Sequence, residues 1–157
     1  MTSKVRRPRS GAIAPLQLAV LDRGRPRSKI TFLRKVVRAT LAFARRETMP
    51  VSLLLTNDRE IGRLHEQFLA DPTPTDVISF EIDGSAEIVL SVTTAKRRAR
   101  EHGHPLHAEI ALYIVHGLLH QCGYDDVHKR DRLRMRRAEQ AVLAGLALQV
   151  ASVDDVS

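Results

Sequence analysis

The stretch from Leu106 to Cys122 is apolar at Ile110, Ala111, Leu112, Ile114, Val115, Leu118 and Leu119. On a helix of about 3.6 residues per turn these positions make nearly every side apolar, the pattern of a buried helix. Such a helix has to sit in the middle of the domain, with the other elements packed around it. It is too short for a bilayer, which takes about 20 apolar residues. Pro105 suits its first turn, and Gly123 stops it because glycine takes the left-handed conformation easily. Within this apolar helix stand two histidines, His116 and His120.

The remaining chain supplies the cover. Leu16 to Leu21 reads as a first strand, Arg23 to Arg27 as a turn, and Ser28 as a cap for the next helix. From Ile30 to Arg45 apolar residues recur at helical spacing, at Ile30, Leu33, Val37, Leu41 and Phe43, giving an amphipathic helix. Val51 to Thr56 is a buried strand. Asn57 and Glu60 form a capping-box pattern for a second helix, with Ile61, Leu64 and Phe68 as its inner face. The segment from Asp71 to Thr75, with two prolines, is a loop. Val77 to Ile82 and Glu87 to Val92 read as strands joined by the Asp83-Gly84 turn. A basic helix begins at Thr93 and ends at Gly103, and a last amphipathic helix runs from about Lys129 to Leu148. The pattern predicts an α/β (α+β) fold: one mixed four-stranded sheet with parallel strands and an antiparallel hairpin, flanked by about five helices. Residues 16–148 form a single domain on this reading, with a flexible basic tail at 1–15 and a frayed tail at 149–157.

Of the 157 residues 43% are hydrophobic, enough for a core, although aromatics are only 4%. The formal net charge of +7 and pI near 10.3 come mainly from arginine. Its planar fork matches phosphate oxygens in pairs, so nucleic acid is a reasonable partner. Cys122 is the lone cysteine, which excludes an intrachain disulfide. Residues 1–15 lack the apolar run of a secretory signal, and the expectation is a cytoplasmic protein with no membrane partner.

The chemistry is carried by residues 116–126, HGLLHQCGYDD. Histidines four apart on a helix project from one face, with Cβ atoms about 5–6 Å apart. Both can then reach one cation at roughly 2.0–2.1 Å. Neutral imidazoles buried on an apolar helix need polar partners, and a divalent cation serves both. Past the Gly123 stop follow Asp125, Asp126 and His128, any of which can close a triad. Three protein ligands leave a coordination position open, as in catalytic rather than structural zinc sites. Gly117 occupies the place of the glutamate that metalloproteases carry after the first histidine, which argues against a protease.

This string resembles the signature of the YbeY family of bacterial endoribonucleases, HGxLHLxGYDH. PTDVISF at 74–80 and EIVLS at 87–91 fit the same family, and the similarity runs from about Leu16 to Leu148. The resemblance implies a zinc-dependent endoribonuclease that prefers single-stranded RNA. It also implies a role at the 3′ end of small-subunit ribosomal RNA and in ribosome quality control. The implied partners are ribosomal RNA and the small ribosomal subunit, with no DNA. His116 and His120 match the first two ligands. The family's third histidine aligns with Asp126, and His128 is its rival. Leu69 stands where the family places an arginine after the aromatic residue that matches Phe68. Arg63 or Arg97 could replace its charge.

Asp76 and Ser79, at the loop-strand edge, are candidates for positioning water or phosphate, although an Asp there is as often a local cap. Arg97, Arg98 and Arg100, with Arg132, Arg134, Arg136 and Arg137, are candidates for one basic groove along RNA. His104 and His107 read as capping or surface residues, and His65 and His102 as solvated. Cys122 reads as a packing residue beside the site, and Tyr124 either as a hydroxyl donor near the metal or as packing for the turn. Two other functions fit the sequence: a ribosome-associated RNA-binding factor with a structural metal and little catalysis, and a hydrolase of small phosphate esters.

Overall fold

The computed structural model describes residues 17–22, 29–70 and 75–150. The expected basic tail at 1–15, the Arg23–Arg27 turn, the Ser28 cap, residues 71–74 of the expected loop and the tail from Ala151 lie outside the described residues.

The elements are β1 (Leu18–Asp22), α1 (Ile30–Phe43), β2 (Val51–Thr56), α2 (Asp58–Leu69), β3 (Val77–Ile82), β4 (Ser85–Ser91), α3 (Val92–His102), α4 (Leu106–Gln121) and α5 (Lys129–Gly145). The fold is α+β. The sheet order is β1-β2-β4-β3. β1 pairs with β2 and β2 with β4 in parallel, while β3 and β4 form an antiparallel hairpin. Asp83 and Gly84, both at positive φ (49° and 79°), make its turn.

Alternation along the strands divides the apolar side chains between two faces. Leu53 and Leu55 of β2 and Ile88 and Leu90 of β4 join α1, α4 and α5 in the main core. Val89 and Ile78 face the other way, with Ile61 of α2. α4 lies at the centre of the main layer, against β3, β4, α1, α3 and α5. Ile110, Ile114, Leu118 and Leu119 are fully buried on it. Gly117 lets this helix come close to the sheet: a Cβ there would stand 3.0 Å from Ile88 Cδ1 and 3.5 Å from Ser79 Cβ.

Several local expectations need correction. Ile30 and Phe43, expected on the inner face of α1, are exposed, and the buried face is Leu33, Val36, Val37, Thr40 and Leu41. Both stand in end turns, where periodicity does not say how far the partner surface extends. Phe68 is half exposed rather than internal, and stacks on Phe80 with ring centroids 5.2 Å apart. α3 starts at Val92, one residue early, because the Ser91 hydroxyl accepts the Thr94 N–H and takes the cap position. α5 ends at Gly145 rather than near Leu148, and Ala147 turns to positive φ.

Candidate metal centre

α4 stops at Gln121. Gly123 takes φ 97°, and the Tyr124 N–H reaches back to the Leu119 carbonyl at 2.9 Å. The chain then reverses over the end of α4. Asp125 builds the next turn, its Oδ1 accepting the N–H groups of Asp126 (2.7 Å) and Val127 (3.3 Å). Arg132 of α5 donates to the Val127 carbonyl at 2.8 Å and pins the loop. This brings Asp126 over the two histidines.

The three donor atoms converge. His116 Nε2 and His120 Nε2 are 3.1 Å apart, and Asp126 Oδ2 lies 3.6 Å from the first and 3.4 Å from the second. Donors about 2.0–2.2 Å from a tetrahedral centre stand about 3.3–3.6 Å from one another. The spacing is therefore close to what one small cation shared by the three donors needs. His128 is exposed at the cap of α5 and lies outside this group.

Behind His116 stands a residue that the sequence reading missed. Nδ1 of His116 contacts Oε1 of Glu139, a mostly buried carboxylate on α5. Its signal was an acid among the apolar positions of that helix, close to Met135, Ala138 and Val142. Burial alone would lower the basicity of His116, but the Glu139 bond and the charges of Glu139, Asp126 and Asp76 outweigh it, so its pKa is raised.

His116 is shared by two depressions. One, with a volume of about 280 Å³, is lined by Asp76, Tyr113, Asp126, Arg132, Arg136 and Glu139 among others. The other holds His65, Leu69, Ser79, His120 and Gln121. Asp76 accepts the Val77 N–H at 2.8 Å, the local-cap role open to it, and still borders the first depression. Ser79 Oγ accepts from Gln121 Nε2 at 3.1 Å in the second.

Of the arginines named from sequence, Arg97 pairs with Asp58 (4.0 Å) and Glu101 (3.9 Å), and Arg98 with Glu101 (3.5 Å). Arg100 is exposed. Arg134 turns onto the Tyr124 ring, 4.7 Å from its centroid. The arginines that border the depression beside His116 are Arg132 and Arg136. Arg63 lies against Glu60 at 2.8 Å. Tyr124 and Cys122 pack on the main core, and burial pushes the Cys122 thiol up.

A second group, His102, His104 and Glu109, lies at the α3–α4 junction. His104 is not on the surface: its side chain is only 7% exposed and contacts Glu109, itself 3% exposed. A carboxylate buried in the first turn of α4 needs a partner, and His104 folds back to supply it. His102 is half-buried rather than solvated, and His107 meets the edge of Phe32. Burial and the charges of Glu109 and Asp76 push the Tyr113 phenol far up, so it stays protonated.

Residues 25–147 match the family described as Endoribonuclease YbeY. A Heliobacterium modesticaldum protein named Endoribonuclease YbeY is 36% identical over 121 residues, spanning 66% of this chain and 73% of the relative. One from Nautilia profundicola is 41% identical over 103 residues (62% and 73%). One from an Anaeromyxobacter species is 37% identical over 137 residues (80% and 71%). The solution structure of TM1509 from Thermotoga maritima has the same fold, with a TM-score of 0.59 at 22% identity over 83% of this chain and 91% of that one. With most of its length matched, the chain belongs to the YbeY family.

Proposed function

We propose that this chain is a zinc-dependent endoribonuclease that cleaves single-stranded RNA, with His116, His120 and Asp126 as the metal ligands. The observation that carries the reading is the convergence of three donor atoms, 3.1–3.6 Å apart, at the edge of a depression. The relatives' name supplies the reaction class. Ribosomal RNA of the small subunit, its 3′ end and the quality control of ribosomes are the proposed setting, in the cytoplasm. Among the described residues no helix is long and apolar enough to cross a membrane.

A divalent cation, which His116, His120 and Asp126 would hold, would supply Lewis acidity to offset phosphate charge and to make water more acidic. The rest falls to side chains of the chain. Arg132 and Arg136 border the adjoining depression and attract the phosphodiester backbone. Asp76 borders the same space, and we assign it the proton of the attacking water. Ser79 and Gln121 offer hydrogen bonds to phosphate on the other side of His116. The water oxygen bonds to phosphorus as the P–O bond to the leaving oxygen breaks, and the proton taken by Asp76 passes to that oxygen. Arg97, Arg98, Arg100 and Arg134 are left with a peripheral attraction for RNA.

The test is cleavage of a single-stranded oligoribonucleotide by the purified chain, with a duplex of the same sequence as control. Cleavage should stop with chelator and return with zinc. His116→Ala and His120→Ala should each lower the rate by roughly 10²-fold or more, the scale for losing a principal electrostatic stabiliser. Asp126→Ala should lower zinc content and His128→Ala should not. Cleavage that survives both histidine changes and chelator would sink the reading. Leu69, 48% exposed beside the second depression, favours the alternative of an RNA-binding factor with a structural metal. In that case zinc raises the melting temperature, RNA binds, and no cleavage occurs.

A further inference from the structure

We infer that Glu139 is a positioning residue: it fixes the ring tautomer of His116 and thereby makes the affinity of the centre for its cation depend on α5. The inference rests on the proposed metal reading and adds to it a residue outside the ligand set.

The argument starts from the two nitrogens of one ring. His116 Nε2 faces His120 Nε2 and Asp126 Oδ2. Its Nδ1 faces Glu139 Oε1. An ionised carboxylate only accepts hydrogen bonds, so Nδ1 must carry the hydrogen. A neutral imidazole has one N–H, which leaves Nε2 with a lone pair directed at the shared point. That is the form a cation needs. A free imidazole would populate both tautomers and rotate about its side-chain bonds. The Glu139 contact removes both freedoms before any cation arrives, and carboxylates behind metal-bound histidines act in this way.

Glu139 is itself held. Met135, Ala138 and Val142 bury the same side of α5, and that helix packs against α4. A carboxylate on this face would be costly without a partner. Among the described hydrogen bonds and ion pairs its partner is His116. The two histidines are therefore not equivalent. Among the described hydrogen bonds and ion pairs, no carboxylate stands behind the second ring nitrogen of His120. The effect of Glu139 should run through His116 alone.

Zinc affinity of the whole chain, measured by competition with a chromophoric chelator, tests this. Glu139→Gln should weaken binding about tenfold and Glu139→Ala up to about a hundredfold. Adding Glu139→Gln to His116→Ala should weaken binding no further than His116→Ala alone, a non-additivity that a merely structural role would not produce. Nitrogen-15 shifts of His116 in the zinc-free protein, taken at alkaline pH where the ring is neutral, give an independent readout: the Nδ1–H form in the wild type, a mixture in Glu139→Gln. This second measurement serves even if Glu139→Ala fails to fold. Wild-type affinity in Glu139→Gln, additive losses in the double variant, or an unchanged tautomer would overturn the inference. A wild-type chain that binds no zinc would instead overturn the metal reading beneath it.

Discussion

Asp58 is the first residue of α2, yet its carboxylate serves the start of α3. Its Oδ1 accepts from the Ser91 and Thr94 hydroxyls, while Arg97 stands 4.0 Å from Oδ2. Burial pulls its pKa up, but the two hydroxyl bonds and the Arg97 charge prevail, so the folded value lies below the ordinary 3.8. A carboxylate with a depressed folded pKa adds stability that is present above the unfolded value and is lost as the pH falls through the folded one. Asp58→Asn should therefore cost stability at neutral pH and almost none in strong acid. Parallel urea titrations from pH 7 down to below 3.8 would show the two curves converging. Because the side chain is 44% exposed, the effect should be modest. Leu69 stands at the candidate site. It borders the depression shared by His116 and His120, at the position where the resemblance implies an arginine. Leu69→Arg should raise the rate of RNA cleavage by at least about tenfold, by adding a donor for developing phosphate charge. Single-turnover kinetics with excess enzyme would decide, and an unchanged rate would mean that no guanidinium is wanted there.

At the scale of elements, α4 organises both the core and the candidate centre. Its apolar circumference was legible in the sequence because hydrophobic burial leaves a periodic trace. So was the Gly123 stop, which the structure realises at φ 97°. Gly117 was legible only as the absence of a protease glutamate. The structure gives its physical role: it is the close contact of α4 with Ile88 and Ser79. Gly117→Leu should overpack this contact and cost about 1–3 kcal/mol. Denaturant unfolding would measure the loss, and a neutral result would show that the helix can lift away from the sheet. Alanine is a gentler change, since its helix propensity exceeds that of glycine by about 1 kcal/mol and offsets some of the crowding. The hairpin turn and the Asn57 cap were also readable, because each is made by residues within a few positions of one another. The His104–Glu109 pair was not read, because nothing in spacing distinguishes a surface histidine from one folded over the next helix.

For the molecule as a whole, the excess of positive charge fits a partner with a phosphate backbone. Binding of single-stranded RNA should weaken linearly in log K against log salt, with a slope near −0.7 for each phosphate neutralised. Fluorescence anisotropy at several salt concentrations would give that slope. Arg132→Ala and Arg136→Ala should each make it shallower, and a flat response would rule out backbone-led binding. The sequence alone determined the order of the elements, the apolar central helix and the pairing of His116 with His120, since these depend on local periodicity. The resemblance to the family also implies that Asp126 stands in register with its third histidine. Only the tertiary structure decided which residue past Gly123 returns to the histidines, that Arg134 lies on Tyr124, and that Glu139 stands behind His116. Those contacts join segments whose separation along the chain carries no repeating signal; they exist because packing α5 against α4 brings distant polar atoms to positions where each must find a partner.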